Sequence, residues 1–170
     1  TTTIGNAMPN KKVVIIMNNH QNVDAIKFSG TKSLTVKTGS SLTLYTNGDI
    51  TVTGNGMMNG TTAGANPCSS LLIYGTTAAP STQEIKVGGN GQLYAAIYAP
   101  NANLEMKGGG SSGMVLGSMV AKTISMNGGT DFHYDEALGK LGTGNPFGIV
   151  KWRELQTATE RSSYTTQLVF

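Results

Sequence analysis

The sequence predicts an all-β fold, a right-handed single-stranded β-helix (β-solenoid) with irregular capping ends. Three observations predict it: a phrase that repeats at short spacing, strand triplets separated by glycine-rich turns, and no helical segment between the repeated phrases. The chain has 170 residues, which is enough for one domain with a continuous core. We expect residues 1–170 to form a single β-helix domain, with residues 1–22 as a lead-in or cap, residues 23–138 as coils and residues 139–170 as a C-terminal cap or tail.

The strongest signal is a five-residue phrase that occurs three times, at steps of 19 and 20 residues. Its copies are Ile85–Gly89, Leu104–Gly108 and Ile124–Gly128. A second phrase, Ala96–Ala102, returns in part as Ser118–Lys122. A period this short, built from strands and glycine turns, is typical of coils that stack on one another.

Alternation along each copy assigns the directions of its side chains. The middle residues Lys86, Glu105 and Ser125 should point outward, with Lys86 and Glu105 forming an exposed pair across neighbouring coils. The flanking apolar residues should point inward and stack in buried columns: Ile85, Val87, Leu104, Met106, Ile124 and Met126.

Earlier segments show the same alternation. Apolar-polar-apolar triplets at Leu34–Val36, Leu42–Leu44 and Ile50–Val52 start eight residues apart, and glycine-containing turns separate them. The apolar run Val13–Met17 has the length of a strand. It is either a fully buried strand or a cap over the open end of the rod, and periodicity does not distinguish the two.

Composition limits the classes of partner. Charged residues make up 12% of the chain, about half the usual share, while glycine (23) and threonine (22) are abundant. The formal net charge is +3, but the basic residues are scattered and Lys11-Lys12 is the one adjacent basic pair. We therefore expect no nucleic-acid partner.

The sequence suggests no cofactor, no metal site and no catalytic residue. Two histidines and one cysteine do not make a structural zinc site, and the glycine clusters lack the Lys-Ser/Thr of a phosphate loop. Many β-helix enzymes cleave polysaccharides with clustered acids, whereas Asp24, Asp49, Glu84 and Glu105 are dispersed along this sequence. The lone Cys68 excludes an internal disulfide, so its thiol is structural or incidental, with an intermolecular bridge as the alternative.

One cluster combines several ionisable residues, at positions 131–136. His133 with Asp131, Asp135 or Glu136 would suit a metal or catalytic site. The favoured interpretation is structural, because the strand pattern stops here and His133 and Asp135 could bond open backbone groups at the end of the rod.

Three tyrosines lie near equivalent positions in successive coils. If Tyr94, Tyr98 and Tyr134 face outward, they form an aromatic strip for sugar stacking or protein contact; partial burial in the coil packing is the favoured alternative. Together with His133 and Asp135, these tyrosines are the possible interaction surface.

Several phrases resemble the C-terminal β-helix domain of bacterial PilX-type proteins. They are Leu93–Ala102, Gly117–Gly129, Phe132–Leu138 and Val150–Leu155, within a similarity that covers residues 71–155. The resemblance implies a relation to type IV pilus assembly components, an envelope-exposed position and a non-enzymatic role. It implies no catalytic residues.

We therefore expect a non-enzymatic structural or adhesive domain of a bacterial cell-surface or pilus-associated protein, located extracellularly. One alternative is a self-assembling extracellular filament subunit joined by strand donation or end-to-end stacking. Another is a polysaccharide-binding or polysaccharide-cleaving β-helix. The expected partners are other protein subunits, either further copies or pilus components, and surface glycans. The chain has no run of 18 apolar residues and begins at Thr1, so we expect membrane contact only through an upstream segment.

Overall fold

The computed structural model of the protein describes residues 2–5, 10–18, 20–53, 56–59, 66–89, 92–108, 114–129 and 131–140. Within these ranges the helical segments are two short 3-10 helices, Cys68–Ser70 and Glu136–Lys140. The strands in chain order are β1 Thr2–Ile4, β2 Lys12–Met17, β3 Asp24–Phe28, β4 Leu34–Val36, β5 Ser41–Thr46, β6 Asp49–Thr53, β7 Gly56–Asn59, β8 Leu71–Gly75, β9 Gln83–Gly89, β10 Gln92–Gly108, β11 Met114–Gly128 and β12 Asp131–Tyr134. The chain divides into two compact units, Thr1–Leu138 and Gly139–Phe170, and every strand described lies in the first.

The described strands pair in parallel and form three ladders, where a ladder is a series of strands that pair with one another in order. The first ladder contains β1, β4, β7, the start of β10, the start of β11, and β12. The second contains β2, β5, β8 and the middle parts of β10 and β11. The third contains β3, β6, β9 and the ends of β10 and β11. The all-β class is confirmed, with one twelve-stranded parallel sheet that nearly closes on itself.

The chain visits the three ladders in turn, and we call one such visit to all three a pass. Strands β1 to β3 make the first pass, β4 to β6 the second and β7 to β9 the third. Strand β10 makes the whole fourth pass, β11 makes the fifth, and β12 adds a strand to the first ladder alone. The three triplets that start eight residues apart are β4, β5 and β6, so they are successive strands of one pass rather than neighbours within one ladder.

The register expected from the repeated phrase is confirmed. Leu104 pairs with Ile85 on one side and with Ile124 on the other. The second phrase also aligns as expected, since Ile97 pairs with Met119. Each inward column is therefore continuous across the last three passes of the third ladder.

Burial of these columns differs from the expectation at one end. Leu104 and Met106 are fully buried, but Ile124 is 48% and Met126 is 46% exposed. The prediction that Met126 lies in a dry column is therefore wrong. Among the described residues, the β11 segment 118–128 pairs with β10 alone, so its inward side chains have a neighbouring pass on one side instead of two.

Two further expectations need correction. Lys86 and Glu105 are neighbours in register but do not pair with each other; Lys86 lies 3.9 Å from Glu84, and Lys107 lies 2.8 Å from Glu105. These ion pairs run along a strand instead of across the ladder. Residues 1–22 are not simply a lead-in, because β1 pairs with β4 and β2 pairs with β5. Of the expected cap or tail at 139–170, all but residues 139 and 140 lie outside the described residues.

Side-chain amides close the corners between ladders. The buried Gln83 amide donates from Nε2 to the carbonyl oxygens of Thr46 and Gly48. Asn66 donates from Nδ2 to the carbonyl oxygen of Lys37 at 3.1 Å and accepts from the Gly39 backbone N–H at 2.9 Å. These bonds satisfy backbone groups that the ladders leave open at the turns.

Candidate interaction surfaces

A row of large side chains runs along the outer face of the second ladder. It consists of Ile16, Tyr45, Tyr74, Tyr98 and Val120, each paired in register with the next. These residues face outward because the residues beside them in each strand point inward and are buried. We call this set the outer tyrosine row.

Two rings of the outer tyrosine row stack on each other. The ring centroids of Tyr45 and Tyr74 are 4.8 Å apart and their planes differ by 10°. Burial, followed by the neighbouring Tyr45, raises the pKa of the Tyr74 hydroxyl. Because the two rings cover each other's faces, they offer their edges and hydroxyls to solvent and leave less ring face for a sugar. A stacked pair of this kind stabilises the ladder by about 0.5–1.5 kcal/mol.

The expected strip of Tyr94, Tyr98 and Tyr134 does not exist. Tyr94 pairs with Leu116, Tyr98 with Val120, and Tyr134 with Gly117, so they occupy three different columns. Tyr94 is 3% exposed and packs with Cys68 and Leu138, whereas Tyr134 is 56% exposed. The favoured alternative, partial burial, therefore describes Tyr94 but not Tyr134.

Cys68 and Tyr94 form a small buried cluster beneath the two 3-10 helices. The Cys68 thiol is 1% exposed and donates from Sγ to the carbonyl oxygen of Leu116 at 3.4 Å. Burial, followed by the hydrogen bond and charge of Asp135, raises the pKa of the Cys68 thiol to about 12. A protonated, buried thiol is a poor nucleophile, and it reaches a second chain only after local unfolding. The arrangement favours the structural interpretation of Cys68.

The cluster at residues 131–136 is positioned at the end of the first ladder. The Asp135 backbone N–H donates to the carbonyl oxygen of Gly117 at 3.1 Å, and its carboxylate accepts from the backbone N–H of Ala137 at 3.0 Å. Asp135 thus caps the second 3-10 helix, as the structural interpretation expected. His133 lies exposed on β12, next to Leu116 in the ladder. Within the described ranges, no three His, Cys, Asp or Glu side chains are grouped as metal ligands.

Three acids that are far apart in the sequence come together in the third ladder. Asp24 pairs with Asp49, and Glu84 follows in the next pass, since Ile50 pairs with Ile85. Sequence reasoning missed this row because its spacings follow the lengths of individual passes, which are unequal.

Hydrogen bonds from the chain itself engage each acid of this row. Asp24 accepts from Lys27 at 2.7 Å and from Thr51 at 2.9 Å, and these two bonds lower the pKa of the Asp24 carboxyl. Asp49 accepts from the backbone N–H of Glu84 at 2.8 Å, and Glu84 accepts from Asn103 at 2.9 Å. The row is therefore tied to its own ladder.

Exposed large apolar side chains concentrate at the two ends of the ladders. Nine of the ten such residues in the described ranges belong to the first pass or to the last two, and Tyr98 in the fourth pass is the exception. The nine are Val14, Ile15, Ile16, Val23, Val120, Ile124, Met126, Phe132 and Tyr134. Exposed apolar groups that cluster in this way mark surfaces for contact with other molecules.

Comparison with known proteins gives a family and no function. No curated protein and no solved structure matched the chain significantly. In the part of the chain that the structure describes, no helix combines the length and the apolar character needed to cross a membrane. A family model described as Domain of unknown function (DUF7305) matches residues 9–141, which is well over half of the chain. The chain belongs to the DUF7305 family.

Proposed function

We propose that this chain is a non-enzymatic structural or adhesive domain of a bacterial cell-surface or pilus-associated protein. The observation that carries the proposal is the concentration of exposed apolar side chains at the two ends of the ladders. The middle passes expose almost none, so the molecule offers its ends to other protein subunits and uses the middle as a stiff spacer. An enzyme of this architecture would instead place its working groups along one outer face.

The proposed fold is a right-handed single-stranded β-helix. Each ladder joins successive passes in parallel, and the chain goes from one ladder to the next through short turns. Connections between parallel strands are right-handed in about 98% of cases. Right-handed coiling also allows one long strand, such as β10, to serve all three ladders in a single pass.

The ionisable groups support a role without catalysis. The acids of the third ladder are engaged by donors of the same ladder, and the Cys68 thiol is buried and protonated. The exposed His133 has no grouped acids around it within the described residues. The low charge of the chain and its resemblance to PilX-type proteins support a position outside the cell.

The location is tested by labelling bacterial cells that produce the protein with an antibody raised against the purified chain. Intact and permeabilised cells should label equally, because the domain is already accessible from outside. An antibody against a cytoplasmic enzyme serves as the control and should label permeabilised cells alone. Labelling of the chain that requires permeabilisation would refute the cell-surface role.

The absence of catalysis is tested separately with a panel of bacterial and plant polysaccharides. We expect no release of reducing ends above the buffer background. The acid row supplies the control variants Asp49→Asn and Glu84→Gln. Release of sugar by the unmodified chain that disappears in both variants would replace our proposal with the polysaccharide-cleaving alternative.

A further inference from the structure

The first pass ends in an unusual edge strand. Strand β2 pairs with β5 on one side, and no described strand pairs with its other side. It is apolar on both faces: Val13 and Ile15 point inward, while Val14 and Ile16 point outward and are 60% and 65% exposed. Proteins usually protect a flat edge strand with charges, proline or a bulge, because an unprotected apolar edge pairs with another strand. The stretch Val13–Met17 has none of these protections.

We propose that a second copy of this chain covers this edge, so that two chains join first pass to first pass in a two-fold symmetric dimer. Strand β2 would pair antiparallel with β2 of the second copy. Only an antiparallel pair of identical strands satisfies a two-fold axis, and such an interface is closed, so it yields a dimer instead of a fibre. The dimer depends on the ladders alone and not on the cell-surface role.

The geometry of the first pass fits this axis. The pass contributes one strand to each ladder: β1 to the first, β2 to the second and β3 to the third. A two-fold axis through the middle of β2 exchanges the first and third ladders. Therefore β1 meets β3 of the second copy, β3 meets β1, and each of the three edges finds a strand. The opposite end lacks this match, because β12 extends the first ladder by one strand beyond the other two.

The side chains set the register. Inward residues must oppose inward residues, so Ile15 lies opposite Ile15 of the second copy, and Val13 lies opposite Met17. On the outer face, Val14 then lies opposite Ile16 of the second copy. Each opposed pair is apolar, and cross-strand pairs of β-branched residues stabilise a sheet. Ile15, which is 36% exposed in the single chain, becomes part of a core that continues from one copy into the other.

Charge and size are compatible with such a dimer. No charged residue lies between Val13 and Met17, so the antiparallel pair brings no like charges directly opposite each other. Lys12 comes opposite Asn18 of the second copy. The described residues of the first pass, 2–5, 10–18 and 20–30, number 24. That lies within the roughly 20–30 residues a side found in standard interfaces.

Sedimentation equilibrium of the purified full chain tests the dimer. At about 10–100 µM the unmodified chain should sediment with twice the monomer mass, as expected for an interface of standard size. The double variant Val14→Lys, Ile16→Lys places lysine opposite lysine at the two outer pairs and should weaken association at least tenfold. These side chains point outward and are mostly exposed, so the monomer keeps its core.

The control is Val120→Lys, at the far end of the same outer tyrosine row, where Val120 is 42% exposed. It adds a charge to the last pass and should leave the dimer within about twofold of the unmodified chain, since residues remote from an interface act independently. A chain that stays monomeric over the whole range would overturn the proposal. So would equal weakening by the control and the double variant.

Cysteine cross-linking tests the register. An equal mixture of Val14→Cys and Ile16→Cys should give disulfide-linked dimers under mild oxidation with oxidised glutathione, in higher yield than either variant alone. The native Cys68 gives little background because it is buried and its thiol stays protonated. Equal yields from the mixture and from the single variants would contradict the antiparallel pairing. Neither experiment depends on where the protein resides in the cell.

Discussion

Replacing Leu104 with alanine is expected to lower the free energy of unfolding by about 2–5 kcal/mol. Leu104 is 1% exposed and lies in the third ladder between Ile85 and Ile124. Backbone pairing on both sides holds the neighbouring passes apart, so they cannot close over the cavity that the substitution leaves. Guanidinium denaturation followed by circular dichroism measures the loss as a shift in the transition midpoint.

Two substitutions act as matched controls for Leu104. Ile124 occupies the same column one pass later but is 48% exposed, so Ile124→Ala should cost only about 1 kcal/mol, since less area leaves water there. Glu105 is the outward neighbour of Leu104, and Glu105→Ala removes a surface ion pair with Lys107 that is worth about 0.2–1 kcal/mol at most. Equal losses for Leu104→Ala and Glu105→Ala would mean that the inward and outward faces are assigned wrongly.

Replacing Gly117 with alanine should be at least as damaging as a typical core substitution, with a loss of about 3 kcal/mol or more. Gly117 lies in β11 with φ at +142°, a conformation that L side chains rarely adopt. A Cβ at this position would collide with the carbonyl oxygen of Ala95 in the paired strand β10. Relief of the collision requires the two strands to separate, which breaks the first ladder between the fourth and fifth passes. The same denaturation assay measures the loss.

Gly88 provides the comparison for Gly117. It also lies within a ladder, but its φ is not positive and the atom nearest to an added Cβ is Cγ2 of Thr53, at 3.5 Å. Gly88→Ala should therefore change the free energy of unfolding by no more than about 1 kcal/mol, and the lower entropy of the unfolded chain favours a small gain. If the two alanine variants were equally stable, the close approach of β10 and β11 would be incorrect.

The third ladder could be predicted from the sequence because its copies are nearly evenly spaced. Ile85, Leu104 and Ile124 follow each other at 19 and 20 residues, and each begins an apolar-polar-apolar triplet before glycine. Even spacing makes register visible, because each copy of the pattern can be overlaid on the next. The buried state of Leu104 and Met106 follows directly from that overlay.

The outer tyrosine row could not be predicted in the same way. Tyr45, Tyr74 and Tyr98 follow each other at 29 and 24 residues, because the turns between ladders differ in length from pass to pass. Overlaying a fixed period of 20 residues suggested a strip that included Tyr94 and Tyr134 instead. Strand β7 was missed for a related reason: its four residues, Gly56–Asn59, lie among glycines and asparagines that resemble a loop.

Exposure at the ends of the ladders is also beyond a local pattern. Alternation shows which face of a strand points inward, and it did so correctly for Met126, which pairs in register with Met106. Whether another pass covers that face depends on the number of passes, and this is a property of the whole fold. The same reasoning explains why Val13–Met17 could be read as a buried strand or as a cap.

An experimentally determined structure tests most directly the central claim that successive passes stack in register as a right-handed β-helix. The decisive quantities are the Cα separations from Val87 to Met106 and from Met106 to Met126, together with the hand of the path between the ladders. We expect both separations to be close to the spacing of about 4.8 Å between neighbouring strands, and the path to be right-handed. Separations of more than about twice that spacing, or a left-handed path, would contradict the account.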